Sequence, residues 1–432
     1  MQTTAGLKEN ITSGKLDKTL TYLYSCDAQG LKEQKERYLK AVEKFESLFG
    51  QGRKGEFFSA PGRTELSGNH TDHQNGRVLA AGVNLDVIAV ASPNDENIIR
   101  IQSEGYPMDT IDLRDLSIQE KEKNKAASLI RGVAARFQQL GHAIGGFDAY
   151  TNSNVLKGSG LSSSAAFEVL VGVMINHLYS GQSSHGVEIA QAGQYAENVY
   201  FGKPCGLMDQ TASAVGGFLT IDFADPAQPI VKRIDFDFSH SGYQLCIINT
   251  GGNHADLTDD YASVPTEMRS VAAALGKEVL RQVEPNEFYE NMGILREKCS
   301  DRALLRAIHF FDDNDRVPKQ AEALKNNNFE EFKRLVIQSG RSSFMYLQNV
   351  FTCKNPTEQG LSLGLALSEH ILQGAGAWRV HGGGFAGTIQ AFVPVEMLEE
   401  YKAKMEQVFG ENTCYVLSVR PVGGVKVSEE LL

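Results

Sequence analysis

The sequence predicts a two-domain α+β protein, and three observations support this prediction. At 432 residues the chain is longer than one ordinary domain. Segments with strand and helix patterns follow one another without the regular alternation that is typical of a doubly wound sheet. Hydrophobic residues make up 42% and charged residues 22%, the balance of a globular protein with a sizeable core. We place the domain boundary near residue 225, which divides the chain into residues 1–225 and 226–432.

The predicted elements can be given in chain order. Leu16–Phe49 has an apolar stripe at helical spacing, and Val83–Gln102 has the pattern of a hairpin that turns at Pro93-Asn-Asp-Glu-Asn97. The other strands are predicted at 56–59, 147–151, 230–238 and 243–249, and the other helices at 126–140, 163–179 and 187–200. A long helical stretch is expected from about residue 264 to 372, followed by a strand, a glycine turn, a strand, a helix and a strand.

Composition limits the location and the partners of the chain. Lys and Arg number 42 against 53 Asp and Glu, and a net charge of −11 disfavours nucleic acid and anionic membranes. No apolar run reaches the roughly 18 residues that span a bilayer, and the first residues lack the apolar region of a signal peptide. The six cysteines are scattered without a CxxC pair, which is typical of a reducing compartment. We therefore expect a cytoplasmic monomer with small-molecule partners.

The segment Asn154-Val-Leu-Lys-Gly-Ser-Gly-Leu-Ser-Ser-Ser164 carries the first chemical pattern. Its glycines allow the backbone to approach a ligand, and its serines stand where a helix begins, with free N–H groups that favour an anion. The same pattern also fits an ordinary helix with a serine cap. A Walker loop is excluded because GxxxxGK[ST] is absent, and Ser163 replaces the third glycine of a dinucleotide fingerprint.

Two further segments have patterns of a ligand site. Ser59–Arg77 places acidic, amide and imidazole side chains in a loop after a strand, where they could bind sugar hydroxyls or form only a hydrophilic turn. Its two histidines, His70 and His73, are weak evidence for a metal without a third ligand. In His381-Gly-Gly-Gly-Phe-Ala-Gly387 the literal GxGxxG is followed by a strand pattern, which favours a glycine-rich hairpin over a Rossmann turn.

Together the three segments resemble the three motifs of the GHMP kinases, in the same order. The match narrows to the galactokinase branch, because Ser59-Ala-Pro-Gly-Arg63 with His70-Thr-Asp72 looks like its sugar signature and Cys205-Gly-Leu-Met-Asp-Gln210 looks like its catalytic segment. The resemblance extends from about Phe57 to Val393. It implies a two-domain GHMP-kinase-like fold, with mixed sheets flanked by helices and the active site between the domains. It also implies transfer of phosphate from ATP to the anomeric hydroxyl of galactose, with Mg²⁺.

The resemblance also implies individual roles. Asp209 would act as general base or orienting carboxylate beside the reacting hydroxyl, and Arg63 would stabilise the phosphoryl charge and keep Asp209 ionised. Ser164 and Glu197 would hold Mg²⁺. The residues implied to contact the sugar are Asn69, His70, Thr71, Asp72, Gly206, Asp209 and Tyr261, and those implied to bind ATP are Gly158, Ser159, Gly160, Leu161, Ser162, Ser163 and Ser164. Taken singly, Asp209 could equally be a helix cap, Glu197 a solvated helix face and Tyr261 a core aromatic residue.

The chain departs from the family pattern at three places. Asn69 stands where a glutamate is usual, residues 251–257 replace a basic segment, and Ala126 stands where a tryptophan is frequent. The first two departures leave open a related sugar, either N-acetylgalactosamine or galacturonate, although residues 251–261 contain no Lys or Arg to pair with a uronate. The third departure, at Ala126, affects the contact with the adenine base. A catalytically silent sugar sensor is a further alternative, against which the intact Arg63, Asp209 and serine loop argue.

Overall fold

The computed structural model describes residues 1–155, 160–203, 205–252 and 257–431. Gly158 and Ser159 of the predicted phosphate loop lie outside the described residues, as does part of the altered segment that begins at Gly251. Among the described helices, none combines the length and the apolar character that crossing a bilayer requires.

Thirteen strands are found in the described part of the chain. They are β1 (Gln2–Thr3), β2 (Lys54–Ser67), β3 (Arg77–Pro93), β4 (Ile98–Ser103), β5 (Asp109–Asp112), β6 (Phe147–Ser153), β7 (Phe218–Asp222), β8 (Ile230–Ile234), β9 (Tyr243–Asn249), β10 (Ala377–Val380), β11 (Thr388–Pro394), β12 (Cys414–Leu417) and β13 (Val425–Val427). One sheet has the order β1-β2-β3-β6-β4-β5, and β13, β7 and β8 complete it alongside β2 and β3. The second sheet has the order β10-β11-β9-β12.

The α-helices of the described residues connect and cover these sheets. They are α1 (Thr4–Thr12), α2 (Asp17–Tyr24), α3 (Ala28–Phe49), α4 (Ala126–Gln139), α5 (Ser163–Leu178), α6 (Gly186–Tyr195), α7 (Met208–Val215), α8 (Thr258–Ala274), α9 (Pro285–Glu290), α10 (Met292–Lys298), α11 (Asp301–Lys325), α12 (Phe329–Ser342), α13 (Gly360–Leu372) and α14 (Leu398–Phe409). Two short π-helices, Ala196–Phe201 and Ser343–Leu347, continue α6 and α12. The α+β class and the predicted mixed sheets flanked by helices are confirmed.

Most predicted elements lie where the sequence placed them, but the predicted hairpin at Val83–Gln102 is wrong. β3 and β4 are not hydrogen-bonded neighbours, because β6 lies between them, antiparallel to β3 and parallel to β4. The turn is tied to the start of β6, since the Asn94 N–H donates to the Gly146 carbonyl at 2.8 Å. Turn residues therefore reverse the chain here without selecting the neighbouring strand.

The larger sheet is covered on both faces. Phe58 and Ala89 face the main core with α4 and α5, whereas Phe57, Ile88 and Val90 pack under the N-terminal helices. Burial of both faces explains the continuous apolar run of β3, since a sheet with one solvated face shows alternation instead. The chain crosses to the second sheet between β8 and β9 and returns with β13, so strands on both sides of residue 225 belong to the first sheet.

Candidate active site

Arg63 and Asp209 form an ion pair where strand β2 passes the start of helix α7. The pairing of β2 with β3 shifts register between Pro61 and Arg63, a bulge that changes the direction of the side chains. The Arg63 Nε donates to Asp209 Oδ1 at 2.7 Å, and its Nη1 donates to the Gly160 carbonyl. The backbone N–H of Arg63 also donates to the Leu161 carbonyl at 2.9 Å. Arg63 thus joins the segments predicted to be the sugar signature, the phosphate loop and the catalytic segment.

Asp209 is held as an ionised carboxylate. Its Oδ2 accepts a hydrogen bond from Ser162 Oγ at 2.6 Å, so both of its oxygens are partnered. Burial acts to raise the pKa of Asp209, but the Arg63 guanidinium and the hydrogen bonds from Arg63 and Ser162 outweigh burial and lower the pKa below its ordinary value. The carboxylate is therefore charged at neutral pH, while its side chain stays 31% exposed to the site.

The start of helix α5 lacks a side-chain cap from the residue before it. That residue, Ser162, lies in the left-handed region with φ 57°, and its side chain makes no capping hydrogen bond to the helix. No acidic residue occurs in its first turn. Ser163 and Ser164 line a cleft of about 850 Å³, whose wall also contains Tyr106, Ala126 and Phe201. Uncapped N–H groups and the helix dipole together make this end of α5 suitable for an anion such as phosphate.

Two residues of the predicted ATP loop contact their surroundings mainly through the backbone. Gly160 has φ 71°, and a Cβ there would lie 3.0 Å from His381 Nδ1, so a side chain would collide with the glycine-rich hairpin. The side chain of Leu161 is fully buried, and its carbonyl accepts from Arg63. Any contact of Leu161 with a nucleotide would therefore be made by its backbone.

His70 presents a neutral imidazole with one free nitrogen. Its backbone lies in the left-handed region, with φ 59°, and its Nε2 lies 2.9 Å from the Gly383 carbonyl. Burial, followed by the neighbouring His73, lowers the pKa of His70 to about 4. A neutral ring that donates from Nε2 leaves Nδ1 as an acceptor, and Nδ1 is buried without a partner in the described part of the chain. This nitrogen can accept a hydrogen bond from a ligand hydroxyl.

Asp72 and Gly206 lie against each other. A Cβ at Gly206 would stand 2.6 Å from Asp72 Oδ2, so glycine is needed for this approach. The other oxygen of Asp72 accepts from the backbone N–H of His73 at 2.9 Å. The structure thus brings together the segments that resemble the sugar signature and the catalytic segment.

The side chains of Asn69 and Thr71 point into the protein interior. Asn69 is fully buried, and its amide nitrogen donates to Glu65 Oε1 at 3.0 Å and to the Gly382 carbonyl at 2.8 Å. Its amide oxygen accepts from Ser343 Oγ and Asn349 Nδ2, and the buried Thr71 hydroxyl lies 2.6 Å from the Arg77 carbonyl and 2.9 Å from that of Gly68. Because these hydrogen-bonding groups are occupied, the geometry differs from the predicted contacts of both side chains with a sugar.

Tyr261 packs on the glycine-rich hairpin. Its hydroxyl donates to the Gly384 carbonyl at 2.9 Å, and its ring meets Phe385 edge-on at 5.4 Å between centroids. Gly384 has φ 80°, and a Cβ there would collide with the backbone of Asn349. The loop joins β10 to β11, two antiparallel strands, so the predicted hairpin is confirmed and a Rossmann turn is excluded.

Glu197 lies in a buried group of carboxylates that the sequence revealed only in part. It is 4% exposed, on the π-helix after α6, and Lys203 Nζ lies 3.5 Å from its Oε1. Gln210 Nε2 donates to Glu197 Oε2 at 3.0 Å and to Glu168 Oε2 at 2.9 Å. Burial, followed by repulsion from Glu197, raises the pKa of Glu168 well above its ordinary value. Glu168 could have been noticed as the one charged residue in the apolar run 165–175.

Comparison with known proteins finds two family models that match this chain. Residues 128–217 match the GHMP kinases N terminal domain, and residues 43–93 match the galactokinase galactose-binding signature. Over 372 residues the chain is 29% identical to a galactokinase of Streptomyces coelicolor, covering 85% of this chain and 92% of the relative.

Solved structures share the fold. The structure of Lactococcus lactis galactokinase complexed with galactose is 24% identical, with a TM-score of 0.76, covering 89% of this chain and 98% of the other. Mevalonate kinase of Methanococcus jannaschii is 15% identical, with a TM-score of 0.59, covering 85% of this chain and 98% of the other. The two family models, the Streptomyces relative and the shared fold together make the GHMP kinases, and among them the galactokinases, the family that this chain resembles.

Proposed function

We propose that this protein is a galactokinase, which transfers the γ-phosphoryl group of ATP to the anomeric hydroxyl of galactose. The observation that carries the proposal is the position of Asp209, held between Arg63 and Ser162 next to the uncapped start of α5. A carboxylate, a guanidinium and a phosphate-binding helix end are the groups that phosphoryl transfer requires, since its catalysis is mainly positioning and charge stabilisation. The galactose-binding signature and the Streptomyces relative support galactose as the sugar.

In the proposed reaction the sugar hydroxyl attacks the γ-phosphorus as its proton passes toward Asp209. The bond from the γ-phosphorus to the bridging oxygen breaks, and ADP leaves. Because its pKa is lowered, Asp209 is a weak base, so its main contribution is to orient the hydroxyl and to accept the proton late in the step. Arg63 stands beside it to stabilise the charge that develops on the phosphoryl oxygens.

The donor set fits Mg²⁺. Glu197 is a buried carboxylate, and Ser164 offers a hydroxyl at the edge of the cleft. Unpartnered acceptor oxygens on Glu168 and Gln210 lie in the same buried group, as expected for a hard cation that keeps some of its waters. Bound there, Mg²⁺ would neutralise charge on the ATP phosphates. We propose Glu197 and Ser164 as its protein ligands.

We propose that the sugar contacts His70, Asp72, Gly206, Asp209 and Tyr261. The free Nδ1 of His70 accepts from one hydroxyl, and the Asp72 carboxylate accepts from others. Asn69 and Thr71 contribute by holding this loop in place, because their own polar groups are used within the protein.

The nucleotide would occupy the 850 Å³ cleft, with its phosphates at the start of α5 and its base near Tyr106 and Phe201. Ala126 lines this cleft, so the tryptophan frequent in the family would have faced the base from the same position. We propose that the protein works as a monomer in the cytoplasm. The six cysteines are free in the structure, in keeping with a reducing compartment.

A coupled assay of ADP release tests the proposal. The panel contains galactose, N-acetylgalactosamine, galacturonate and glucose, each with ATP and Mg²⁺. We expect galactose to give the highest kcat/KM, with phosphate on its anomeric oxygen by ³¹P NMR. If N-acetylgalactosamine or galacturonate gives the highest kcat/KM instead, that sugar replaces galactose as the proposed substrate. If calorimetry detects sugar binding but no sugar gives ADP release, the result would favour a catalytically silent sugar sensor.

A further inference from the structure

Glu168 is a buried carboxylate that the reaction described above leaves without a role. It lies on α5, one turn after the serines, and is 0% exposed. The neighbouring residues of this helix are apolar and belong to the main core, where an ionisable group is costly to bury. A carboxylate at this position therefore needs a partner whose interaction offsets the free-energy cost of burial.

The partner on one side is Gln210, which Glu168 shares with Glu197. The single amide nitrogen of Gln210 donates to Glu168 Oε2 at 2.9 Å and to Glu197 Oε2 at 3.0 Å. Gln210 is itself fully buried, so its side chain is fixed between the two carboxylates. A shift of Glu168 would move Gln210 and, through it, the oxygen of Glu197.

The other side of this group has acceptors without donors. Glu168 Oε1 and Gln210 Oε1 are buried, and neither has a hydrogen-bond partner among the residues that the structure describes. Buried polar atoms are almost always partnered, so these oxygens are expected to accept from donors outside the protein, namely bound water or a ligand. Lys203 is the cation beside Glu197, at 3.5 Å, and its side chain is 65% exposed. Water bound to a divalent cation is a strong donor and fits acceptors placed behind a metal-ligating carboxylate.

We propose that Glu168 is a positioning residue of the cation site: through Gln210 it fixes Glu197, and its free oxygen accepts a hydrogen bond from a water on the cation. This inference rests on the proposed function for the presence of a divalent cation with ATP. It makes cation affinity depend on a residue 29 positions before Glu197, on another helix.

The test is Mn²⁺ binding to the full-length protein, followed by the EPR signal of the free ion, with a non-hydrolysable ATP analogue present. Glu168→Gln keeps the shape of the side chain and replaces one acceptor oxygen by a donor. We expect its Mn²⁺ affinity to fall about 10–100-fold, the usual effect of removing a partner of a metal ligand. Galactose affinity, measured by calorimetry, should stay within about twofold, since a partner of a metal ligand acts on the metal.

The control is Asn176→Asp on the same helix. Asn176 is also buried, and it bonds to the backbone of Ser184 at 3.0 Å, remote from Gln210 in the hydrogen-bond network. This variant reports general weakening of α5 and should bind Mn²⁺ as the wild type does. If Glu168→Gln does not fold, Glu168→Asp keeps the carboxyl group but withdraws its oxygens, and it should show the same selective loss.

Wild-type Mn²⁺ affinity in a folded Glu168 variant would overturn the inference, as would an equal loss in the Asn176 variant. Failure of the wild type to bind Mn²⁺ with the analogue would also overturn it. No sugar and no turnover enter this titration. A protein that binds Mn²⁺ normally but does not phosphorylate galactose would therefore refute the proposed substrate and leave the role of Glu168 supported.

Discussion

At the scale of single residues, Asp209 shows how its neighbours set its chemistry. Arg63 and Ser162 occupy one oxygen each, at 2.7 and 2.6 Å. These partners lower the pKa of the carboxylate although burial acts in the opposite direction. The same two contacts hold the side chain in one orientation toward the site, which favours an orienting role over that of a strong base.

Replacing Asp209 by Asn should nearly abolish turnover while the fold is kept. The change is almost isosteric and removes the charge that orients the hydroxyl, a contribution of about 10²–10⁴-fold in rate. Steady-state kcat for galactose measures the loss, and binding of an ATP analogue should be retained. Ser162→Ala removes one hydrogen bond only and should lose far less. Turnover of Asp209→Asn equal to the wild type would refute the assigned role.

The sequence implies that Asn69 contacts the sugar, but its buried surroundings predict that Asn69→Glu lowers stability rather than changing sugar selectivity. The side chain is 0% exposed and already lies against the Glu65 carboxylate, at 3.0 Å. A longer acidic group would crowd the site, repel Glu65 and leave the Gly382 carbonyl without its donor, at about 1–3 kcal/mol for an unpaired buried group. We expect lower stability in urea and a common loss of kcat/KM for all four sugars. Altered selectivity at wild-type stability would instead establish a sugar contact.

Sequence patterns predicted the residues that meet at the ion pair better than those that support them. Arg63 and Asp209 each belong to a recognisable local motif, so their association could be expected. Glu168 and Gln210 are 42 positions apart and belong to no common local motif, so only the packing of α5 against α7 reveals that they meet. Hydrogen-bond saturation, as at Asn69, is likewise visible only in three dimensions.

At the scale of elements, helix α11 supports the backbone of the sugar loop, residues 68–72. Asp313 Oδ2 accepts the backbone N–H groups of Gly68 and Asn69, at 3.1 and 2.9 Å. One turn earlier, His309 Nε2 lies 2.9 Å from the Asn69 carbonyl. Burial lowers the pKa of His309, so its ring is neutral and can donate from Nε2. These contacts fix the backbone just before His70, whose positive φ needs such support.

Asp313→Asn should weaken sugar binding more than nucleotide binding. The change removes the charge from an acceptor of two backbone hydrogen bonds, and bonds to a charged group contribute roughly 1.5–3 kcal/mol. We expect KM for galactose to rise about tenfold or more, with KM for ATP nearly unchanged. Asp312→Asn is the control, because Asp312 is the adjacent acidic residue on this helix and its side chain is 39% exposed. Equal changes in both KM values would argue against a local effect on the sugar loop.

Element prediction succeeded where one segment determines its own structure. Helices α4 and α5 end within a residue of their predicted limits, since their periodicity and start signals are local. It failed at Val83–Gln102, where the choice of a neighbouring strand depends on β6, more than 40 residues later. The predicted helix 16–49 is likewise divided, because Ser25 takes a left-handed conformation and Asp27 caps a new helix.

At the scale of the whole molecule, the two ends of the chain meet on Asp86. This carboxylate is fully buried on β3 and accepts from Arg37 of α3 at 2.6 Å and from Arg420 near the C-terminus at 3.0 Å. Tyr24 of α2 also donates to it at 2.6 Å. Asp86 lies opposite Pro61, two residues before Arg63, in the β2–β3 pair. The N-terminal helices, which precede the part of the chain where the family resemblance begins, are therefore bonded to the strand pair that carries Arg63.

Asp86→Asn should cost about 3–5 kcal/mol of unfolding free energy at neutral pH, because it leaves two buried guanidinium groups without their counter-ion. Burial acts to raise the pKa of Asp86, but Arg37 and Arg420 outweigh it and lower the pKa in the folded protein. A lowered folded pKa stabilises the protein above the unfolded value of about 3.9, and this contribution is lost as pH falls through the folded value. The difference between wild type and variant in the free energy of urea unfolding should therefore be constant near pH 7 and shrink in acid.

The control is Asp17→Asn, which removes a partly exposed ion pair with Lys35 and should cost less than about 1 kcal/mol of unfolding free energy. A loss at Asp86 no larger than at Asp17, or one that does not change with pH, would mean that this network does not hold the N-terminal helices to the sheet.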